Sequence, residues 1–456
     1  MWVPDLRGRH PVRYLAIVEA LAEAIARGEL RPGDRLPTHR ELAWRLGVNV
    51  STVTRAYVEA TRRHLISGEV GRGTFVLSES REAMLFGLDS PAAAPAAAGT
   101  IDLSVNLPAS PGDAADAAEI EATLADLAAR QRLGGALGHP AAALIARARI
   151  AGATWLAARG LDLRPDDVIP TAGAQQALLA VLLALCRPGD PVLVEDLTFP
   201  GIKALARQLA LPLHGVATDG EGILPDALDR AARATSARVV VLVPALQNPT
   251  GATMGAARRQ AVAEIARRRG LQVIEDDVYG MLADTPPLAR LLPESCTVVT
   301  SLSKCVAGGL RFGVIAGTSA AVRAVAAEPQ TTLWPLAPLM VEIACRWLED
   351  GTALRRIRWQ REEIAARYRL ARRALPGRPE GDPRPSPHVW LTLPTEDADP
   401  AGLCRRAGLE VVPAATFAVT REPPPRIRVS LTAAASRADL SRALDRLHRL
   451  GAAWSG

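Results

Sequence analysis

The sequence predicts an α/β protein in two unequal parts: a small helix-turn-helix unit closed by a hairpin, then a large body with a mainly parallel sheet and a smaller α+β lobe. Three observations predict it. The chain has 456 residues, beyond the roughly 250–300 at which single cores stop growing. The run Ser90-Pro-Ala-Ala-Ala-Pro-Ala-Ala-Ala-Gly99 cannot build a core and reads as a linker. Beyond it, short apolar runs alternate with helical stretches, as parallel strands joined by crossover helices require. The expected organisation is a compact unit over 12–78, a linker over 79–100 and a body over 101–456, with the large lobe near 140–327 and the small lobe near 328–456.

In the first unit Tyr14, Ile17, Val18, Leu21 and Ile25 recur at helical spacing, and Gly28 with Arg31-Pro-Gly-Asp34 stops that helix. Thr38-His-Arg-Glu41 is a capping box, whose hydroxyl and carboxylate serve the free N–H groups opening a short helix through Leu42 and Leu46; Gly47 ends it. A third helix runs from about Ser51 past Val53, Tyr57 and Val58 to Leu65, with Asn49 or Ser51 as its cap. Leu65 to Val76 then reads as two short strands about a glycine-rich turn. Helix, turn, helix and hairpin is the winged-helix order.

In the body, a strand at Val168-Ile169 precedes a helix from Ala174, and further strands are expected at 191–194, 239–243, 271–274, 297–300 and 312–316. After about Ala327 the pattern changes to an Arg-rich helix over 352–374, strands near 389–393 and 426–431, and a last helix from Arg437. No internal repeat is visible.

Composition narrows the function classes. With 48% apolar and 22% charged residues the chain reads as a soluble globular protein, and its longest apolar stretch, near Ala177–Cys186, falls short of the roughly 20 residues a membrane span needs. No apolar secretory segment opens the chain, so the cytoplasm is the expected location. Five scattered cysteines without C-x-x-C spacing argue against a disulfide framework or a zinc site; they read as buried thiols. The net charge of +6 is compatible with an anionic partner without identifying one. More telling, only Lys203 and Lys304 are lysines among 54 basic residues. Arginine stays protonated, whereas a lysine amine can lose its proton and attack a carbonyl.

Local sequence separates the two lysines. Lys203 follows Pro200-Gly201 at a helix start and reads as a solvated charge. Lys304 lies in Thr300-Ser-Leu-Ser-Lys-Cys-Val-Ala-Gly-Gly-Leu-Arg-Phe-Gly313, directly after a strand. That setting suits a phosphorylated aldehyde: the lysine forms the imine, while Ser301, Ser303 and Arg311 supply donors and charge for the phosphate. Asp276 and Tyr279, in Ile274-Glu-Asp-Asp-Val-Tyr-Gly280, suit a pyridine nitrogen and a phenolic oxygen, with Glu275 and Asp277 as alternative carboxylates. Asn248, in Gln247-Asn-Pro-Thr-Gly251, suits the same phenolic oxygen. Thr171-Ala-Gly-Ala-Gln-Gln-Ala177 opens a helix after a strand and offers free N–H groups to a phosphate.

Two resemblances follow from these motifs. The fragment from Leu36 to Tyr57, with Gly71-Arg-Gly-Thr-Phe-Val76, resembles the DNA-binding domain of GntR-type regulators. It implies that Arg40 contacts a phosphate, that Ser51, Thr52 and Thr54 face the major groove, and that Gly71 and Arg72 enter the minor groove. Many members place an arginine early in the recognition helix, where this chain has Val50. From about Ile101 onward the chain resembles fold-type I transaminases, and as a whole it is similar to MocR/GabR-type regulators. The resemblance implies pyridoxal 5'-phosphate on Lys304, with Asp276 and Tyr279 completing the catalytic set. It further implies Phe199 stacked on the ring, Ala174 and Gln175 at the phosphate, and Arg428, with Arg426 its rival, on an amino-acid carboxylate. Double-stranded DNA, an amino acid or amine effector and a homodimer are the implied partners, with no membrane and no metal. A working aminotransferase is the alternative reading. Two departures weaken cofactor binding: Leu137-Gly-His-Pro140 replaces a usual Tyr-Gly-Asp-Pro run, and Ala174 replaces a serine, each loss of a neutral donor being worth about 1 kcal/mol.

Overall fold

The computed structural model describes residues 2–6, 12–26, 29–30, 34–62, 65–69, 73–76, 99–375, 384–392, 400–419 and 424–452. It separates into a unit up to Pro95 and a unit from Ala96 onward.

The first unit holds helices α1 (Arg13–Ala26), α2 (His39–Leu46) and α3 (Val50–Arg62), with strands β1 (Arg35–Leu36), β2 (Ile66–Glu69) and β3 (Gly73–Val76). Thr38 Oγ accepts from Glu41 N at 3.3 Å, so the hydroxyl half of the capping box forms. Gly47, left-handed at φ +62°, donates back to Ala43 and Trp44 and ends α2. Asn49 takes the cap of α3, its Oδ1 accepting from Ser51 N at 3.1 Å. The hydroxyl of Tyr57 then pins α3 to Pro37 O at 2.9 Å. Ile17, Val18, Leu21, Leu42, Val53, Ala56, Ile66 and Val76 form the core. The sheet order is β1-β3-β2, so the expected hairpin gains a third strand that two residues were too short to announce. Gly28, the linker over 79–98, and the wing residues Gly71 and Arg72 lie outside the described residues.

The second unit is built on seven strands: β4 (Val168–Thr171), β5 (Val192–Glu195), β6 (Leu213–Val216), β7 (Val239–Leu242), β8 (Gln272–Asp276), β9 (Cys296–Ser301) and β10 (Gly313–Ala316). Their order is β4-β10-β9-β8-β7-β5-β6. Neighbours pair in parallel except around β10, which runs antiparallel to both β9 and β4. Helices cover the faces, which is why most of these strands read as unbroken apolar runs. The topology brings the C-terminal ends of β4, β5, β7, β8 and β9 to one edge, and Gly313 starts β10 there, in register with Ser301 and Thr171.

A second antiparallel sheet, β11 (His388–Thr392), β12 (Val412–Pro413) and β13 (Arg426–Ser430), has the order β11-β13-β12. The helices Thr352–Ala374 and Arg437–Ala452 pack beside it. Ile101–Asp102 pairs in parallel with Leu409–Glu410 as a separate two-stranded sheet, and Leu103 O accepts from Ser430 N, so the start of this unit is tied to the smaller lobe before the chain reaches the larger sheet. Cys296, Cys305, Cys345 and Cys404 are buried free thiols, while Cys186 is half-buried.

Candidate cofactor site and nucleic-acid interface

On the first unit, Arg40 is exposed in the first turn of α2, while Ser51 and Thr54 are exposed and Thr52 half-buried in the first turns of α3. Thr54 donates its proton to Val50 O at 3.0 Å, which leaves its oxygen as an acceptor. Val50 is 42% exposed and offers an apolar contact only. Arg55, on the same helix, is engaged over the Tyr14 ring at 4.7 Å.

In the second unit Lys304 ends a single 3₁₀ turn, Leu302–Lys304, that follows β9. Its Nζ donates to the carbonyl of Asn106 at 2.6 Å. Burial, then the charge of Arg428, pushes its ammonium down to about 8 against the pull of Asp276. An amine with that property is free to act as a nucleophile near neutral pH.

Three adjacent carboxylates end β8, and the structure separates them. Glu275 accepts from Leu288 N at 2.8 Å and Ala289 N at 2.9 Å. Asp277 is held by Arg159 through two bonds of 3.1 and 3.0 Å. Asp276, 3% exposed, receives only a long 3.4 Å bond from Val278 N, and burial pushes its carboxyl up to about 7. Of the three it has the fewest partners and so the most acceptor capacity for a further one.

Tyr279 is buried beside Lys304, its hydroxyl pushed up to about 12 chiefly by burial. Asn248 Oδ1 accepts from Arg428 Nη1 at 2.9 Å. Arg428, on β13, also donates to Ser104 O, lies over the Phe417 ring at 5.1 Å, and buries an Nε with no partner. Burial pushes its guanidinium down to about 10. Arg426, its rival, bonds Thr392 instead.

The phosphate candidates gather where β4, β9 and β10 meet. Gly173, at φ +94°, caps the helix Ala174–Leu185, and a Cβ there would lie 3.0 Å from Arg311 Nη2. Glycine thus lets the arginine lie against the helix N-terminus. Arg311 is itself left-handed at φ +48°. Ser301 Oγ accepts from Ser303 N at 3.4 Å, while Ser303 Oγ and Gln175 Oε1 are buried without partners. Gln175 Nε2 meets Gly201 O at 3.0 Å. Phe199 is half-buried and packs with Ala174 in one apolar cluster. A Cβ on Gly201 would come 2.4 Å from its ring, so only glycine fits there.

Sequence reasoning missed Asn106 and His388. Asn106 Nδ2 donates to Tyr279 OH at 3.1 Å and meets His388 Nδ1 at 2.9 Å. Both partners are more than 170 residues away, and no local motif marks either residue. Lys203 departs from its reading as a solvated charge: it is half-buried and donates to Thr416 O at 2.8 Å, because the helix Pro200–Gln208 packs against that turn.

A strand-end lysine, an acceptor carboxylate, a tyrosine and asparagine pair, an arginine and a glycine-capped helix N-terminus define a pyridoxal phosphate-binding body of the transaminase type, carried behind a winged helix-turn-helix. Residues 99–447 match the family described as aminotransferase class I and II, and residues 13–76 match the bacterial regulatory proteins of the gntR family. The chain belongs to the aminotransferase class I and II family, in the MocR-type arrangement with a gntR DNA-binding domain in front. It is 28% identical to YdeF, an uncharacterized HTH-type transcriptional regulator of Bacillus subtilis, over 98% of this chain and 96% of that one. It is also 28% identical to PtsJ of Salmonella typhimurium, named a vitamin B6 salvage pathway transcriptional repressor, over 91% of this chain and 93% of that one. An archaeal alanine:glyoxylate aminotransferase shares the fold with a TM-score of 0.74 and 22% identity, covering 87% of this chain and 99% of that one. The protein is a DNA-binding regulator of MocR type, and its cofactor is pyridoxal 5'-phosphate.

Proposed function

We propose that pyridoxal phosphate, alone or combined with an amino compound, is the signal, and that its covalent link to Lys304 biases a two-state body and so the DNA affinity of the heads. A ligand moves such an equilibrium only by binding one state better. When bound, the cofactor supplies an electrophilic aldehyde carbon and an electron sink. The lysine amine would hold the aldehyde, Asp276 the ring nitrogen, and Tyr279 with Asn248 the phenolic oxygen. Phe199 would cover the ring, the N–H groups of Ala174 and Gln175 with Ser301, Ser303 and Arg311 would hold the phosphate, and Arg428 would take an effector carboxylate.

The observation that carries this reading is the depressed Lys304 amine in the same chain as a DNA-reading helix. The exposed apolar residues Leu137, Ile150 and Trp334 support a homodimer, and DNA binding supports the cytoplasm as the site of action. The test combines borohydride trapping of the cofactor on Lys304 with binding to DNA upstream of the gene, with and without cofactor and amino acids. Trapping at residue 304 and cofactor-dependent operator affinity are expected. Rapid conversion of the cofactor to its amine form by amino acids, with no operator binding, would establish the aminotransferase reading in its place.

A further inference from the structure

One amide stands at the centre of the Lys304 site and spends both its hydrogens. Asn106 Nδ2 donates one to Tyr279 OH at 3.1 Å and the other to His388 Nδ1 at 2.9 Å. The second bond needs a bare Nδ1, and the other side of the ring provides it: His388 Nε2 lies 2.9 Å from Gln247 O, an acceptor only, so the ring proton sits on Nε2. Gln247 is fixed in turn, its Nε2 donating to Leu197 O at 2.6 Å and to Glu195 Oε2 at 3.3 Å.

The ring stays neutral. His388 is 1% exposed, faces Arg428, Lys304, Tyr279 and Asn106, and meets the Tyr279 ring edge-on at a centroid distance of 5.8 Å. A protonated ring would present N–H to the Asn106 amide and force it to turn over, removing the donor from Tyr279. Burial, then the Arg428 and Lys304 charges, prevents this by pushing the imidazole down to about 3.

The consequence falls on Tyr279. Its oxygen already accepts from Asn106, and no acceptor for its proton is found among the described residues. A hydroxyl that accepts one hydrogen bond is a better donor for the next. The Asn106 carbonyl meanwhile holds the Lys304 amine at 2.6 Å, so one residue aligns both groups.

We propose that Asn106, locked by neutral His388, is the positioning residue that commits the Tyr279 proton to the ligand of Lys304. This rests on the reading that Lys304 carries pyridoxal phosphate. A donor held against the phenolic oxygen favours its anionic form, so the proton shared with the lysine nitrogen leaves at lower pH. Breaking the lock raises the pH at which the bound chromophore titrates.

The experiment follows the absorbance of the cofactor-loaded full chain against pH in wild type, His388→Phe, His388→Gln, Asn106→Asp, Tyr279→Phe and the Tyr279→Phe/His388→Phe double variant. His388→Phe keeps an aromatic ring and removes the acceptor, and is expected to raise the midpoint by about one unit, a tenfold change in proton affinity. His388→Gln offers an amide oxygen in its place and is expected to restore most of that change. Asn106→Asp turns the donor into an acceptor that captures the Tyr279 proton, and is expected to shift the midpoint further. In the Tyr279→Phe background, replacing His388 should add nothing. A normal chromophore that titrates as wild type in both His388→Phe and Asn106→Asp overturns this proposal alone. A wild-type protein that forms no chromophore overturns the Lys304 reading and this proposal with it.

Discussion

Replacing Arg159 by Met tests how the three carboxylates at the end of β8 are kept apart. Arg159 holds Asp277 at 3.0–3.1 Å, with side-chain exposures of 7% and 2%. Removing one partner of a buried pair leaves an uncompensated charge and costs roughly 3–5 kcal/mol. Arg159 also donates to Thr285 O at 2.7 Å, which places the variant toward the upper end. The unit from Ala96 to Gly456 has an unfolding entropy of roughly 0.75 kcal/mol/K at the usual per-residue value, so the melting temperature should fall by about 4–7 °C. The assay is calorimetry without cofactor on wild type, Arg159→Met, Asp277→Asn and the double variant. Because the double variant removes both charges, it should recover at least half of the loss, and the coupling should exceed about 1.5 kcal/mol. A fall of less than 2 °C, or additive single effects, would refute the argument that this pair neutralises a charge lying beside Asp276. The single variant should also bind cofactor more weakly, since an unpaired Asp277 disfavours the ionised Asp276 a protonated ring nitrogen needs.

Further outcomes follow from the same geometry. Asp276 is raised to about 7 in the folded chain, so the cofactor-free protein binds this proton more tightly folded than unfolded; the contribution is full below the ordinary carboxylate range and lost as pH rises through 7. Denaturation of Asp276→Asn between pH 4 and 8 should therefore show a smaller decline than wild type. Because the Lys304 amine sits near 8, cofactor attachment followed by absorbance should quicken about tenfold per pH unit below 8 and level off above it, whereas an ordinary lysine would keep accelerating. Arg40→Ala should weaken binding to all DNA sequences alike and reduce the salt slope by about one, measured by anisotropy. Arg428→Leu should abolish spectral responses to amino acids while leaving Lys304 open to borohydride trapping of the cofactor.

Much of this fold is legible in the sequence for a simple reason. Strands buried on both faces, such as Val239–Leu242, favour apolar residues throughout, so the strands of the large sheet show in the sequence as short runs. The edge strand Leu213–Val216 is half-exposed and carries His214 and Gly215, so nothing in its pattern distinguishes it from a loop. At the site, Lys304, Asp276 and Asn248 are visible because Asp276 ends a strand and the other two lie in the turns that follow one, where sequence context and chemistry coincide. What sets Asp276 apart from the alternatives Glu275 and Asp277 is not local, because it depends on what Leu288, Ala289 and Arg159 do at a distance. Lys203 was misread for the same reason: its acceptor, Thr416 O, comes from a turn 213 residues away. Asn106 and His388 lay hidden entirely, since their meaning exists only once two sheets have been assembled around Tyr279.

The pairing of Ile101–Asp102 with Leu409–Glu410 gives the path of the backbone an unusual economy. Leu103 bonds Glu410 O and Ser430 N, Ser104 O receives Arg428, and the Asn106 carbonyl meets the Lys304 amine. A strip of six residues thus runs from the entrance of the body past the smaller sheet to the reactive nitrogen, and leaves few bonds between the two.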